Sequence, residues 1–176
     1  MDPGGLIEIY WWHQLPLARG YTYGKALQNF MADIPLSNGH YADIAATGSN
    51  PALRVIGQKD LTDNRAHLWI DNKPYTWKSV VDGVSVPPVQ NATVTVPGLA
   101  DGNYTVEWWD TRTGEITRVE EIACSNQTLV LSVASLQSDV ACKIHPAGVS
   151  EVDLTMSAPV SVVRPSTVAL DGNPGD

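Results

Sequence analysis

A chain of 176 residues is long enough for one good-sized domain with a core of its own. Eleven Lys and Arg against 19 Asp and Glu leave a net charge of −8 with no basic stripe, which argues against nucleic acid as a partner. No apolar run approaches the roughly 20 residues of a membrane span, and the opening MDPGGLIEIYWW lacks the basic start and cleavable apolar stretch of a signal peptide.

Residues 5–12, GLIEIYWW, form a short apolar run that reads as a buried strand. After Tyr21, the residues Tyr23, Ala26, Leu27, Phe30, Met31 and Ile34 follow the three-and-four spacing of an amphipathic helix, which Pro35 stops. Residues 1–36 thus read as one strand–loop–helix unit. The stretch 37–51 is small and polar and reads as a connector.

From residue 52 the pattern turns to strands. Segments near 52–57 and 66–70 flank an Asp60–Asn64 turn, and 75–81 is ambiguous. Ala92, Val94 and Val96 alternate with Thr93 and Thr95, the mark of a half-buried strand. Further strands follow near 103–110, 115–123, 128–134 and 139–145. In the first of these, Tyr104, Val106 and Trp108 share one face, and Thr105, Glu107 and Trp109 share the other. Seven to eight short strands with regular turn signals predict a mainly β chain, an antiparallel β-sandwich over 52–148. Residues 149–176, broken by Pro159 and Pro165, read as a linker or an extra strand.

The two cysteines, Cys124 and Cys142, either bridge or remain buried thiols. If their strands were first and third in one sheet they would lie about 9–10 Å apart, beyond the roughly 7 Å limit between bridged Cα atoms. A disulfide therefore requires the chain to cross between sheets after Cys124. Asn-x-Thr sequons at Asn91, Asn103 and Asn126 are glycosylation candidates if the source glycosylates.

Signals for chemistry are sparse. The four histidines, His13, His40, His67 and His145, have no paired ligand spacing, so no transition-metal site is expected. Asp60, Asp63 and Asn64 could hold calcium, but ordinary Asx-turn chemistry explains them better. There is no nucleophile elbow, P-loop or dinucleotide fingerprint, and no cofactor is implied. Glu107, Glu115, Glu120 and Glu121 fall where the solvated faces of a sandwich normally carry acids. The aromatic set, six Trp and six Tyr against one Phe, suits sugar stacking or interfaces. Trp11, Trp12, Trp69 and Trp109 are the candidates for carbohydrate binding or domain docking, with docking the commoner role.

The order Trp-Trp-His, loop, then YGKALQNFMADIPL resembles the eighth strand and eighth helix of a cellulase-like (β/α)-barrel glycoside hydrolase. The segments RVIGQKDLTDNRAHLWIDNKPYTW, VTVPGLADGNYTVEWWDTRTGEI and LQSDVACKIHP resemble the carboxy-terminal β-sandwich packed against such barrels. The resemblance spans residues 5–146. It implies an extracellular, secreted protein in which Trp11 or Trp12 matches the tryptophan that floors the subsite next to the cleaved bond. A barrel takes about 250 residues, and only one of its eight βα units has a counterpart here. The family's acid/base and nucleophile glutamates sit on earlier strands, so the resemblance transfers no catalytic residue. The expected function is a non-catalytic accessory sandwich that supports a barrel domain or contacts polysaccharide. The alternative is a structural subunit of an extracellular assembly of identical chains, with the tail 149–176 donated as a strand.

Overall fold

A computed structural model of the chain describes residues 20–148. The expected strand at 5–12, with Trp11 and Trp12, and the strand-like pieces of 149–176 lie outside the described residues. Within them, helix α1 (Gly20–Met31) is followed by a 3₁₀ turn (Leu36–Asn38) and two short strands, β1 (Tyr41–Asp43) and β2 (Thr47–Gly48). Strands β3 (Leu53–Asp60) and β4 (Ala66–Asn72) precede a short helix α2 (Trp77–Val81). The chain continues through β5 (Val89–Pro97), β6 (Gly102–Trp109), β7 (Ile116–Cys124), β8 (Thr128–Leu136) and β9 (Asp139–Pro146).

The strands form an antiparallel sandwich. One sheet has six strands in the order β1-β3-β4-β9-β6-β7 and the other three in the order β2-β5-β8. Alternation along each strand sends one set of side chains into the space between the sheets. Val106 of β6 lies opposite Ile144 of β9, and Val94 of β5 lies opposite Leu131 of β8. These four, with Leu68, Ile70, Val96 and Leu129, are at most 1% exposed and form the centre of the core. Each contributes about 1.5–3 kcal/mol by leaving water. Tyr104 closes one end, its hydroxyl donating to the Ala100 carbonyl at 2.8 Å.

The elements depart from the sequence expectations in three places. The connector 37–51 contains β1 and β2, edge strands of three and two residues that are too short for a period of two to register. The ambiguous stretch 75–81 holds α2, nucleated by a capping box in which the Thr76 side chain accepts from Ser79 N–H and Ser79 Oγ accepts from Thr76 N–H. Helix α1 ends at Met31, ahead of Pro35, because Asp33 turns left-handed at φ 65°.

The cysteines take one of the two states that the sequence leaves open. Cys124 lies opposite Gly102 and Cys142 opposite Trp108, on the two strands that flank β6. The chain does cross to the other sheet in β8, but it returns to the same sheet in β9. The thiols are therefore two strands and six residues out of step, about 20 Å along the strand direction alone. The bridge that the sequence left open does not form, and both cysteines are free and buried. Burial pushes the Cys142 thiol up to about 12 and raises Cys124 as well. The expected result of a thiol assay without reductant is two reactive thiols per denatured chain and close to none in the native protein. A shortfall after denaturation would contradict this placement.

Candidate functional site

The six-stranded sheet uses both of its faces. Its inner face meets the three-stranded sheet, and α1 lies across its outer face. This second layer explains β9, whose residues Ala141 to His145 are all buried although they point alternately to opposite faces.

Four contacts seat the helix. Ala26, 2% exposed, packs against the turn at Gly114, and Asn29 Nδ2 donates to the Gly114 carbonyl at 3.3 Å. Phe30 meets the Trp109 ring edge-on, with centroids 5.8 Å apart. Lys143 is only 4% exposed. Its ammonium lies 4.5 Å from the Trp109 ring centroid and donates to the Ala32 carbonyl, just past the end of α1, at 2.9 Å. A cation at a helix C-terminus and over an indole face is stabilised twice, which offsets part of the cost of burying it.

Beside this seat the helix and sheet separate into a cleft of about 370 Å³. Tyr23 and Leu27 of α1 form one wall, with Ile56, Gln58, His67 and Trp69 of β3 and β4 facing them. The volume is in the range of ligand sites. Tyr23 is 54% exposed, Leu27 40%, Trp69 38% and Ile56 37%. So much apolar surface at one opening is incompletely covered by this chain's described residues.

Two polar atoms in the cleft wall, Gln58 Oε1 and His67 Nδ1, are buried with no hydrogen-bond partner. The orientation of the Gln58 amide is set by Asp43, whose carboxylate accepts from Nε2 at 3.4 Å and leaves the oxygen turned away. His67 sits under Phe30 and Tyr41. Burial, reinforced by the positive charge of Lys143, lowers its pKa from 6.5 to about 4.

The candidate residues separate clearly. Trp69 stands on the rim of the cleft. Trp109 is on the face expected for it, but it is not an open platform. It is 9% exposed because α1 covers it, and its indole N–H donates to Glu107 Oε2 at 3.1 Å. The Asn91, Asn103 and Asn126 sequons are all at exposed positions. Asp60 serves an Asx turn. It accepts from Thr62 N–H, Asp63 N–H and Asn38 Nδ2 at 2.7–3.0 Å. Burial alone would raise its pKa, but these bonds outweigh it and hold the carboxyl below the usual range.

Glu107 and Glu120 both serve indoles, and they lie on opposite faces of one sheet. Glu120 accepts from Trp108 N–H at 2.7 Å on the inner face, and Arg118 pairs with it at 3.2 Å. The two carboxylates therefore cannot flank a single glycosidic bond.

One surface residue was missed in the sequence reading. Trp77, 79% exposed, stands on α2 with Val80 and Val81 beside it at i+3 and i+4. Its signal was the Thr76–Ser79 cap followed by that helical spacing, inside a stretch too short to separate helix from strand.

No protein-family model matches the chain, and no curated protein matches it. Similar solved structures include a bifunctional glucanase-xylanase from a metagenome library, with 16% identity and a TM-score of 0.37 over 60% of this chain and 18% of that one. Alpha-L-fucosidase isoenzyme 2 from Paenibacillus thiaminolyticus has 12% identity and a TM-score of 0.36 over 57% of this chain and 15% of that one. A glycoside hydrolase has 16% identity and a TM-score of 0.48 over 86% of this chain and 31% of that one. This chain spans less than a third of each of these structures, and the identities are too low to carry any activity across.

Proposed function

We propose that the chain is a non-catalytic accessory β-sandwich of a secreted glycoside hydrolase, and that the face bearing α1 and the cleft supports the barrel domain. The observation that carries this reading is the half-covered apolar stripe of α1. Phe30 and Ala26 are seated on the sheet, whereas Tyr23 and Leu27 face an opening that Ile56 and Trp69 share. A layer of apolar surface of this kind is stable in water when another element covers it. The resemblance of the segment around α1 to a barrel's last helix names that element.

A second reading is a structural subunit that exchanges strands. Its support is β8, an edge strand of the three-stranded sheet with nine residues and no charge. Uncharged edges accept further strands.

Intact mass and light scattering of the native protein from its source test both readings. A much heavier polypeptide containing this segment is expected, in which Leu27→Glu or Trp69→Glu lowers the melting temperature of the barrel together with the sandwich. A mature chain near 19.0 kDa that forms large oligomers, and loses them when 149–176 is deleted, would overturn the accessory-domain reading in favour of the second.

A further inference from the structure

We propose that Arg118 of β7 closes the free edge of β8 and keeps it from pairing with the same edge of a second copy of this chain. The proposal is independent of the accessory-domain reading. It sets a condition on strand exchange, because a strand reaches β8 only after Arg118 has left.

β8 ends the three-stranded sheet, with β5 as its one neighbour in the sheet among the described residues. Its edge can be followed residue by residue. Thr93 of β5 turns its own peptide groups toward β2, where its carbonyl accepts from Ser49 N–H at 2.8 Å and its N–H donates to Ser49 Oγ at 2.9 Å. Its partner across the ladder is Ser132. The N–H and C=O of Ser132 therefore point away from β5, and by alternation so do those of Val130 and Ala134. This is the row of groups onto which a further strand adds. The strand itself, TLVLSVASL, carries no charge and no proline to deter one.

The protection comes from the other sheet. β7 is an edge strand of the six-stranded sheet, and its Arg118 and Glu120 lie opposite Trp108 and Val106, on the inner face. Charged residues that point inward on an edge strand make that edge unfit for pairing. Here they also reach the facing edge. The Arg118 guanidinium crosses the gap between the sheets, and its Nη2 donates to the Ser132 carbonyl at 3.4 Å. Two contacts hold it there. It lies 4.7 Å from the centroid of the Trp108 ring, and the same Nη2 pairs with Glu120 Oε1 at 3.2 Å. That oxygen also accepts from the Trp108 indole N–H at 2.7 Å. Ring, carboxylate and edge carbonyl thus fix one guanidinium at the middle of β8. An added strand needs both the Ser132 carbonyl and the space the guanidinium fills.

A second copy is the partner because the edge matches itself. About a two-fold axis at Ser132, antiparallel pairing sets Val130 against Ala134, with no charge on either side, and such a contact closes as a dimer.

The test follows the mass of the full 176-residue chain by light scattering over a concentration series. Arg118→Met keeps an unbranched stem over Trp108 and removes the guanidinium, and its melting curve verifies the fold. Its mass is expected to rise toward about twice that of the wild type. Adding Ser132→Pro should restore the wild-type mass, since proline removes an N–H that faces the edge and spares the ladder with β5. Ser132→Pro alone should leave the wild-type mass unchanged. If proline unfolds the sandwich, Val130→Lys takes its place and puts a charge on the same edge. An Arg118→Met chain that keeps the wild-type mass at every concentration would overturn the proposal. So would an enlarged Arg118→Met assembly that persists with the edge blocked, which assigns the association to another surface. A wild-type assembly that is lost on blocking the edge would also overturn it, since β8 then pairs with Arg118 in place.

Discussion

Gly114→Ala should release α1 from the sandwich without unfolding the sandwich itself. Gly114 ends the Asp110–Glu115 connector between β6 and β7 with φ 69°, and a Cβ built on it would lie 2.5 Å from Ala26 Cα and 2.8 Å from the Ala26 carbonyl oxygen. Both atoms are helix backbone, so no rotamer change relieves the clash. The helix must move away, and with it go the Asn29–Gly114 hydrogen bond and the seat of Phe30 on Trp109. Overpacking of this kind costs about 1–3 kcal/mol, and the left-handed backbone adds about 1 kcal/mol more for a residue with a Cβ. The second contribution can be isolated. Gly83 has nearly the same φ, 66°, with nothing within 4 Å of the place its Cβ would take. Gly83→Ala therefore measures the backbone cost alone, and the excess at Gly114 is the cost to the helix seat. Hydrogen exchange of residues 20–31 and tryptic cleavage after Lys25 report the release, and the melting transition of the sheets reports the rest. If α1 stays protected in Gly114→Ala, the packing of Ala26 on the turn is not what holds the helix.

That dependence on one turn explains what could be read in the sequence. The alternation of Tyr104, Val106 and Trp108 with Thr105, Glu107 and Trp109 places each residue on the correct face of β6, because a period of two is a local property of the strand. It cannot say what covers the outer face. Trp109 shares a face with Glu107 and reads as solvated, yet α1 lies over it from 79 residues earlier in the chain, a distance set by the pair Phe30 and Trp109. The β9 segment carries the matching clue. Lys143 and His145 stand in a strand whose every position from Ala141 to His145 is buried, and polar residues among buried neighbours signal a second layer with partners for them.

The cleft was half legible. Trp69 stood out as an aromatic on a mixed face, and Tyr23 and Leu27 as part of a helical stripe, but only the packing of α1 beside β3 and β4 makes them neighbours. The orphaned atoms of Gln58 and His67 were not legible at all, since a missing hydrogen bond is a property of the assembled surroundings. The cysteines show the same limit from the other side. A bridge needed the chain to cross between sheets after Cys124; the crossover exists in β8, yet β9 returns to the first sheet.

Acid should destabilise the protein well above the range in which its carboxylates titrate, and His67 is the reason. Its pKa is about 4 in the folded chain against the ordinary 6.5. Between these values the unfolded chain carries a proton on this histidine that the folded chain refuses, so stability falls as pH falls. The loss begins as pH drops through 6.5 and is complete below 4, and its ceiling is about 3 kcal/mol. Burial and the charge of Lys143 both lower the pKa of His67. The rings of Phe30 and Tyr41 cover it, and Lys143 lines the same small void as His67, beside Asp33. Asp60 and Asp110 respond in a different window. Their hydrogen bonds hold them below the ordinary 3.8, so the stability they contribute is present above that value and lost only as pH falls beneath it. Chemical denaturation at pH 7 and at pH 4.5 separates the two. Wild-type protein should lose most of the histidine contribution over this interval, on the order of 2–3 kcal/mol. His67→Phe, which keeps an aromatic ring against Phe30 and cannot take a proton, should be nearly flat across it. A wild-type protein equally stable at both pH values would mean that His67 is solvated well enough to titrate normally. The α1 layer would then lie more loosely on the sheet than its contacts with Trp109 and Lys143 require.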